Sequence, residues 1–105
     1  DKTPEVTNIL IDLAQRETMN QSARFAEFLA AELRSAVRTH RRAHRFAGFA
    51  VLKAPDVPSV LLEIGYLSNP EEERMLRSRA FQEKIAIAVR RGIDHYFTAV
   101  QSAAR

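Results

Sequence analysis

The chain has 105 residues, of which 46% are hydrophobic and 28% charged, and it carries a formal net charge of +3 at pH 7. This is room for one domain that buries roughly 60–65% of its unfolded surface, and the balance excludes a disordered or low-complexity chain. Cysteine is absent, which excludes disulfides and a thiolate zinc site within the chain, and no apolar run approaches the ~20 residues of a membrane span.

The chain starts Asp1-Lys2-Thr3-Pro4, without an initiator Met or an apolar leader, and so reads as a trimmed or internal fragment. Thr3 or Thr7 is placed to cap a short apolar segment, Val6 to Ala14, in which Val6, Ile9, Leu10 and Leu13 recur at helical spacing and are expected to face inward. A longer helix is expected from about Glu17 to Arg38. Its stripe is Phe25, Phe28, Leu29, Leu33, Ala36 and Val37, read as core.

That helix runs into Arg34, Arg38, His40, Arg41, Arg42, His44 and Arg45. Cations here complement the negative end of a helix dipole. The sharper alternative is an anion patch, since the sequence pI is about 9.8, serving nucleic acid, anionic lipid or a wall polymer. Nothing beside it resembles a base-reading module, and Phe46 and Phe49 serve as easily in a strand core as in base stacking. His40 and His44 have the spacing of a two-histidine metal pair. Against a metal, the neighbouring arginines repel a dication, and Arg41 stands where a His-Glu-x-x-His motif carries its general base. His95, among apolar residues of the last helix, reads as a surface or partly buried structural histidine.

Two strands follow, Phe46 to Lys53 and Ser59 to Tyr66, around a turn bracketed by Pro55 and Pro58 in which Asp56 can bond its own backbone. The connection is too short for a parallel pair, which needs a crossover of a dozen or more residues, so an antiparallel pair or a place in a wider mixed sheet is expected. Val60 to Leu62 is apolar without alternation, the pattern of a strand covered on both faces. Glu63 breaks that run. A carboxylate at the end of a buried strand must be paired, ligate a metal, or sit at the mouth of a site, because an unpaired buried charge is too costly. Ligands also gather at the carboxyl ends of strands in open α/β sheets, and Glu63 is near such an end. The bland alternative is a carboxylate satisfied by an Arg or a backbone amide.

After Glu63 the sequence reads as a strand-to-helix corner. Gly65 punctuates the strand, Asn69 is a good N-cap, Pro70 fits the first helical position, and Glu72 lies where it can close a capping box. Glu71, Glu72 and Glu73 suit the positive end of the dipole and are read as capping and solvation. From Ser78 a last helix presents Phe81, Ile85, Ala88, Val89, Ile93, Tyr96 or Phe97, and Val100 on one side, and Gly92 inside it points to close packing. The fold class is therefore α/β, a mixed sheet flanked by helices, here with about two strands and three to four helices. Two strands make a thin sheet, so further strands are expected in a missing portion.

The run from Phe49 through Val51-Leu52-Lys53, Pro55-Asp56-Val57-Pro58-Ser59 and Val60-Leu61-Leu62-Glu63 to Gly65-Tyr66-Leu67-Ser68-Asn69 resembles the C-terminal portion of the zinc-dependent N-acetylmuramoyl-L-alanine amidases of the amidase-3 type. Ile9 to Gln15 resembles the segment after the regulatory insertion in their cell-division subgroup, and Glu71-Glu72 and Phe81 to Phe97 resemble the closing helices. The resemblance implies that residues 1–105 are the C-terminal portion of a single catalytic domain of a bacterial wall hydrolase. The activity that the resemblance implies is cleavage of the amide between N-acetylmuramic acid and the L-alanine of the stem peptide. It implies one zinc, held by two histidines and a glutamate from upstream motifs that this sequence lacks, so no ligand role passes to His40, His44 or His95. Glu63 matches the acid beside the metal, taking the proton of the attacking water and returning it to the departing amine. Also implied are a peptidoglycan substrate, a protein activator that relieves autoinhibition, and a periplasmic or extracellular, wall-associated location, with no nucleic acid and no membrane span. The readings from other classes are a non-catalytic wall-binding or partner-binding module and a small basic nucleic-acid-binding protein.

Overall fold

The computed structural model describes residues 3–37, 48–52 and 56–103. In order along the chain these form α1 (Pro4–Val37), β1 (Gly48–Val51), β2 (Val60–Glu63), α2 (Pro70–Arg77) and α3 (Arg79–Ala103). Phe46, Lys53, Pro55 and the run Arg38 to Arg45, with its two histidines, lie outside the described residues.

Thr3, not Thr7, starts the first helix: its Oγ1 accepts from the Val6 amide at 3.2 Å and its carbonyl accepts from the Thr7 amide at 3.0 Å. The expected break between Ala14 and Glu17 is absent, and α1 is one helix of 34 residues. The physical reason is local. Gln15, Arg16 and Glu17 are all good helix formers with no Gly or Pro among them. The junction is also bridged by an Asp12–Arg16 ion pair at 3.0 Å and a Gln21 to Glu17 hydrogen bond at 2.9 Å, the spacing at which helix side chains meet.

The two halves of α1 have different surroundings. Val6, Ile9, Leu10 and Leu13, expected to face inward, are 44–59% exposed, and nothing among the described residues covers them. Periodicity identifies the apolar side of a helix and says nothing of whether a partner covers it. The second half does meet a partner. Leu29, Leu33 and Val37 pack with Phe81, Ile85 and Ala88 of α3, and Phe25, Ala36, Val60, Leu62, Ile64, Met75, Leu76 and Val89 close around this core.

The strands are antiparallel, with Val51 opposite Val60, Ala50 opposite Leu61, Phe49 opposite Leu62 and Gly48 opposite Glu63. Both are shorter than expected at four residues each. The expectation that β2 is covered on both faces is corrected: Val60 and Leu62 pack into the core while Leu61 is 48% exposed. Side chains alternate across a strand, and the described helices cover one face of this sheet. The result is a two-layer α/β piece with one sheet face that no described helix covers.

In α3, Tyr96 rather than Phe97 turns inward. Its ring lies 5.2 Å from that of Phe25, its hydroxyl donates to Gln21 Oε1 at 3.3 Å, and Phe97 is left 55% exposed. Gly92 is buried where a Cβ would come within 2.8 Å of Leu29 Cδ2 and 3.1 Å of Leu29 Cα. The side chain can yield, but the Cα cannot without moving α1. Gly92→Ala would gain ~1 kcal/mol of helix propensity against ~1–3 kcal/mol of overpacking. A net loss of about 1 kcal/mol is expected, read as a lower urea midpoint at unchanged slope.

Candidate active site

The segment carrying Glu63 is tied at both ends. At its start the Ser59 amide donates to Ser22 Oγ at 2.8 Å, and the Ser59 carbonyl accepts from Leu52 N at 3.1 Å. Ser22 is fully buried. Nothing local in the sequence announces this bond, which joins residues 37 apart.

Beyond Glu63 the chain passes half-buried Ile64 and turns at Gly65, whose φ of 146° is open to glycine and rarely to other residues. The Asn69 amide donates to the Tyr66 carbonyl at 3.3 Å. Asn69 Oδ1 accepts from the amides of Glu71 and Glu72 at 3.0 and 3.2 Å, so the N-cap reading holds, with Pro70 next to it. Glu73 pairs with Arg77 at 2.9 Å on the surface. Ser78 ends α2 and caps α3, its Oγ accepting from the Phe81 amide at 3.3 Å.

Glu72 departs from its reading. It is fully buried rather than solvated, and the reciprocal bond of a capping box is not made, because the Asn69 amide is already taken by Tyr66. Instead Glu72 Oε2 reaches further back and accepts from the Tyr66 amide at 3.3 Å, while Oε1 has no hydrogen-bond partner among the described residues. In a run of three glutamates, no local signal separates the buried one from its neighbours.

Glu63 lies at the carboxyl end of β2, exposed, on the bare face of the sheet with Leu61. Among the described residues its side chain makes no hydrogen bond or ion pair. The expectation that Glu63 ends a buried strand is therefore corrected, since among the described residues nothing covers the strand face that carries it. Its neighbour across the ladder is Gly48, which places no side chain beside it. Chemically, the position offers a carboxylate free to exchange a proton with whatever sits on that face.

Among the described residues no group of three or more His, Asp or Glu side chains is arranged to hold a metal ion. The described residues thus do not by themselves fit a zinc site. His95 is on the surface of α3, 3.8 Å from Glu32 Oε1 and edge-on to the Phe28 ring at 6.2 Å, a structural setting as read. No described helix is long and apolar enough to cross a membrane.

Comparison with known proteins gives a consistent result. The chain is 39% identical over 97 residues to the N-acetylmuramoyl-L-alanine amidase AmiA of Escherichia coli, which covers 92% of this chain and 34% of that protein. It is 39% identical over 92 residues to an Escherichia coli AmiC, covering 88% and 22%. With the germination-specific N-acetylmuramoyl-L-alanine amidase of Bacillus subtilis it shares 34% over 79 residues, covering 74% and 33%. The chain therefore spans about a third or less of the length of these relatives. No solved structure gave a significant match. Residues 6–95 match the Amidase_3 family model, described as N-acetylmuramoyl-L-alanine amidase, and with relatives of that name aligned along most of its length, the chain belongs to this amidase family.

Proposed function

We propose that this chain is the C-terminal portion of a peptidoglycan amidase domain, residues 1–105 contributing Glu63 as the general acid/base in cleavage of the amide between N-acetylmuramic acid and L-alanine. The observation that carries the reading is an exposed carboxylate at the carboxyl end of β2, beside a glycine and without a partner among the described residues, in a chain of the amidase family. A carboxylate in that setting can take a proton from an attacking water at one oxygen and deliver it to the nitrogen of the leaving L-alanine, two transfers that need no change in its position. The zinc of the family would supply a water of lowered pKa; its ligands belong to residues other than the described ones, and no role in holding it is assigned to His40, His44 or His95. A wall-associated location, periplasmic or extracellular, and a protein activator that relieves autoinhibition belong to the same reading.

The test is to incubate the complete protein with purified peptidoglycan and follow new L-alanine amino termini. Their appearance without new reducing sugar ends is expected. Binding to peptidoglycan without any release of peptide would overturn the reading and favour a wall-binding module.

A further inference from the structure

Two polar side chains among the described residues are fully buried, Ser22 and Glu72, and each directs a hydrogen bond to the backbone of the segment that carries Glu63. Ser22 holds the amide of Ser59, just before β2, and Glu72 holds the amide of Tyr66, three residues beyond Glu63. We propose that Glu72 is a positioning residue, fixing the far end of this segment so that the Glu63 carboxylate is held in place on the open sheet face. The proposal rests on the reading of Glu63 given above.

The other duties open to Glu72 are already discharged. Asn69 Oδ1 caps α2 by itself, accepting from two amides, and Glu71 and Glu73 place negative charge in the same first turn. What Glu72 adds is a bond back across the turn. That turn contains Gly65 at φ 146°, and glycine has the widest backbone freedom of any residue. Beyond Gly65 the described bonds that fix the segment both fall on Tyr66, its carbonyl accepting from the Asn69 amide and its amide donating to Glu72, and Glu72 is the side chain among these two restraints. A carboxylate buried without full pairing is costly, so its presence here calls for a local reason. The reach to Tyr66 supplies one.

The experiment compares variants in the complete protein with a soluble muramoyl-peptide substrate. Glu72→Met removes the acceptor while keeping the volume, and Glu72→Gln keeps an acceptor oxygen on the same stem. A displacement of the order of 1 Å in a catalytic group is expected to lower kcat about 10–100-fold. Glu72→Met should show that loss with KM within about twofold of wild type, in protein still folded at the assay temperature, and Glu72→Gln should restore most of kcat. A purely structural Glu72 would lower the melting temperature and leave kcat of the folded protein unchanged; that outcome overturns the proposal, as does a Glu72→Gln variant as slow as Glu72→Met. If Glu72→Met does not fold, Glu72→Asp decides, since it keeps the charge but retracts the oxygens: reduced kcat supports the proposal and wild-type kcat overturns it. Glu63→Gln is run alongside. Inactive Glu63→Gln with fully active Glu72→Met removes the positioning role alone, whereas active Glu63→Gln removes the reading of Glu63 itself.

Discussion

Glu63→Gln in the complete protein is expected to lower kcat for peptide release by about 10²–10⁴-fold, the range that a positioned acid/base contributes, with the fold intact. Gln has nearly the shape of Glu but neither accepts nor returns a proton at neutral pH. The side chain is exposed and makes no hydrogen bond or ion pair among the described residues, so its replacement should change stability by no more than about 0.5 kcal/mol. Steady-state kinetics and a thermal melt on the same preparation check both halves. A Glu63 that served only the fold would give the reverse pattern, near-normal kcat and a clear loss of stability.

The largest effect on stability is expected at Leu33. It is 1% exposed, in the middle of the α1–α3 core. Truncation to Ala removes buried methyl groups and leaves a cavity walled by two helices and a strand, at about 2–5 kcal/mol. Against the 5–15 kcal/mol of a typical domain, that is enough to populate unfolded chain at physiological temperature. The same substitution at Leu13, 54% exposed on the bare half of α1, should lie within about 0.5 kcal/mol of wild type. Urea melts of the two variants side by side would separate burial from helix propensity, because the residue change is identical and both positions are helical.

The parts of this fold that depend on near neighbours in sequence were readable in advance. Asn69 followed by Pro70 specifies a helix start because a side-chain acceptor and a residue lacking an N–H answer the same unsatisfied donors. The shortness of the connection ruled out a parallel pair and left the antiparallel pairing as one of two outcomes, and close packing at Gly92 followed from a glycine inside a helix, where it costs ~1 kcal/mol against Ala. What depended on distant partners was not readable. The stripe of Val6, Ile9, Leu10 and Leu13 fixed an apolar side of α1 without saying that it would be bare. Val60 to Leu62 read as doubly covered because an apolar run does not report which of its faces the described helices reach.

The site divides in the same way. Glu63 stood out because a carboxylate interrupted an apolar strand, and the structure places it at the strand end, although exposed rather than buried. Ser22 and Glu72 did not stand out. A serine in a helix and the middle glutamate of three look solvated by every local rule, and their burial comes from bonds to Ser59 and Tyr66 that exist only once the strand is in place. The Ser22 bond spans 37 residues and the Glu72 bond only six, but neither has a composition or spacing signal.

Glu63 is proposed to handle protons in a site whose metal ligands lie outside this chain. Zinc per chain, measured on the purified and buffer-exchanged 105-residue polypeptide beside the complete protein, tests it most directly. Well below one zinc is expected on the 105-residue species and about one on the complete protein, retained in Glu63→Gln even as hydrolysis is lost. Close to one zinc on the 105-residue species would contradict it, because His40, His44, His95 and the carboxylates of this chain would then be building a metal site of their own.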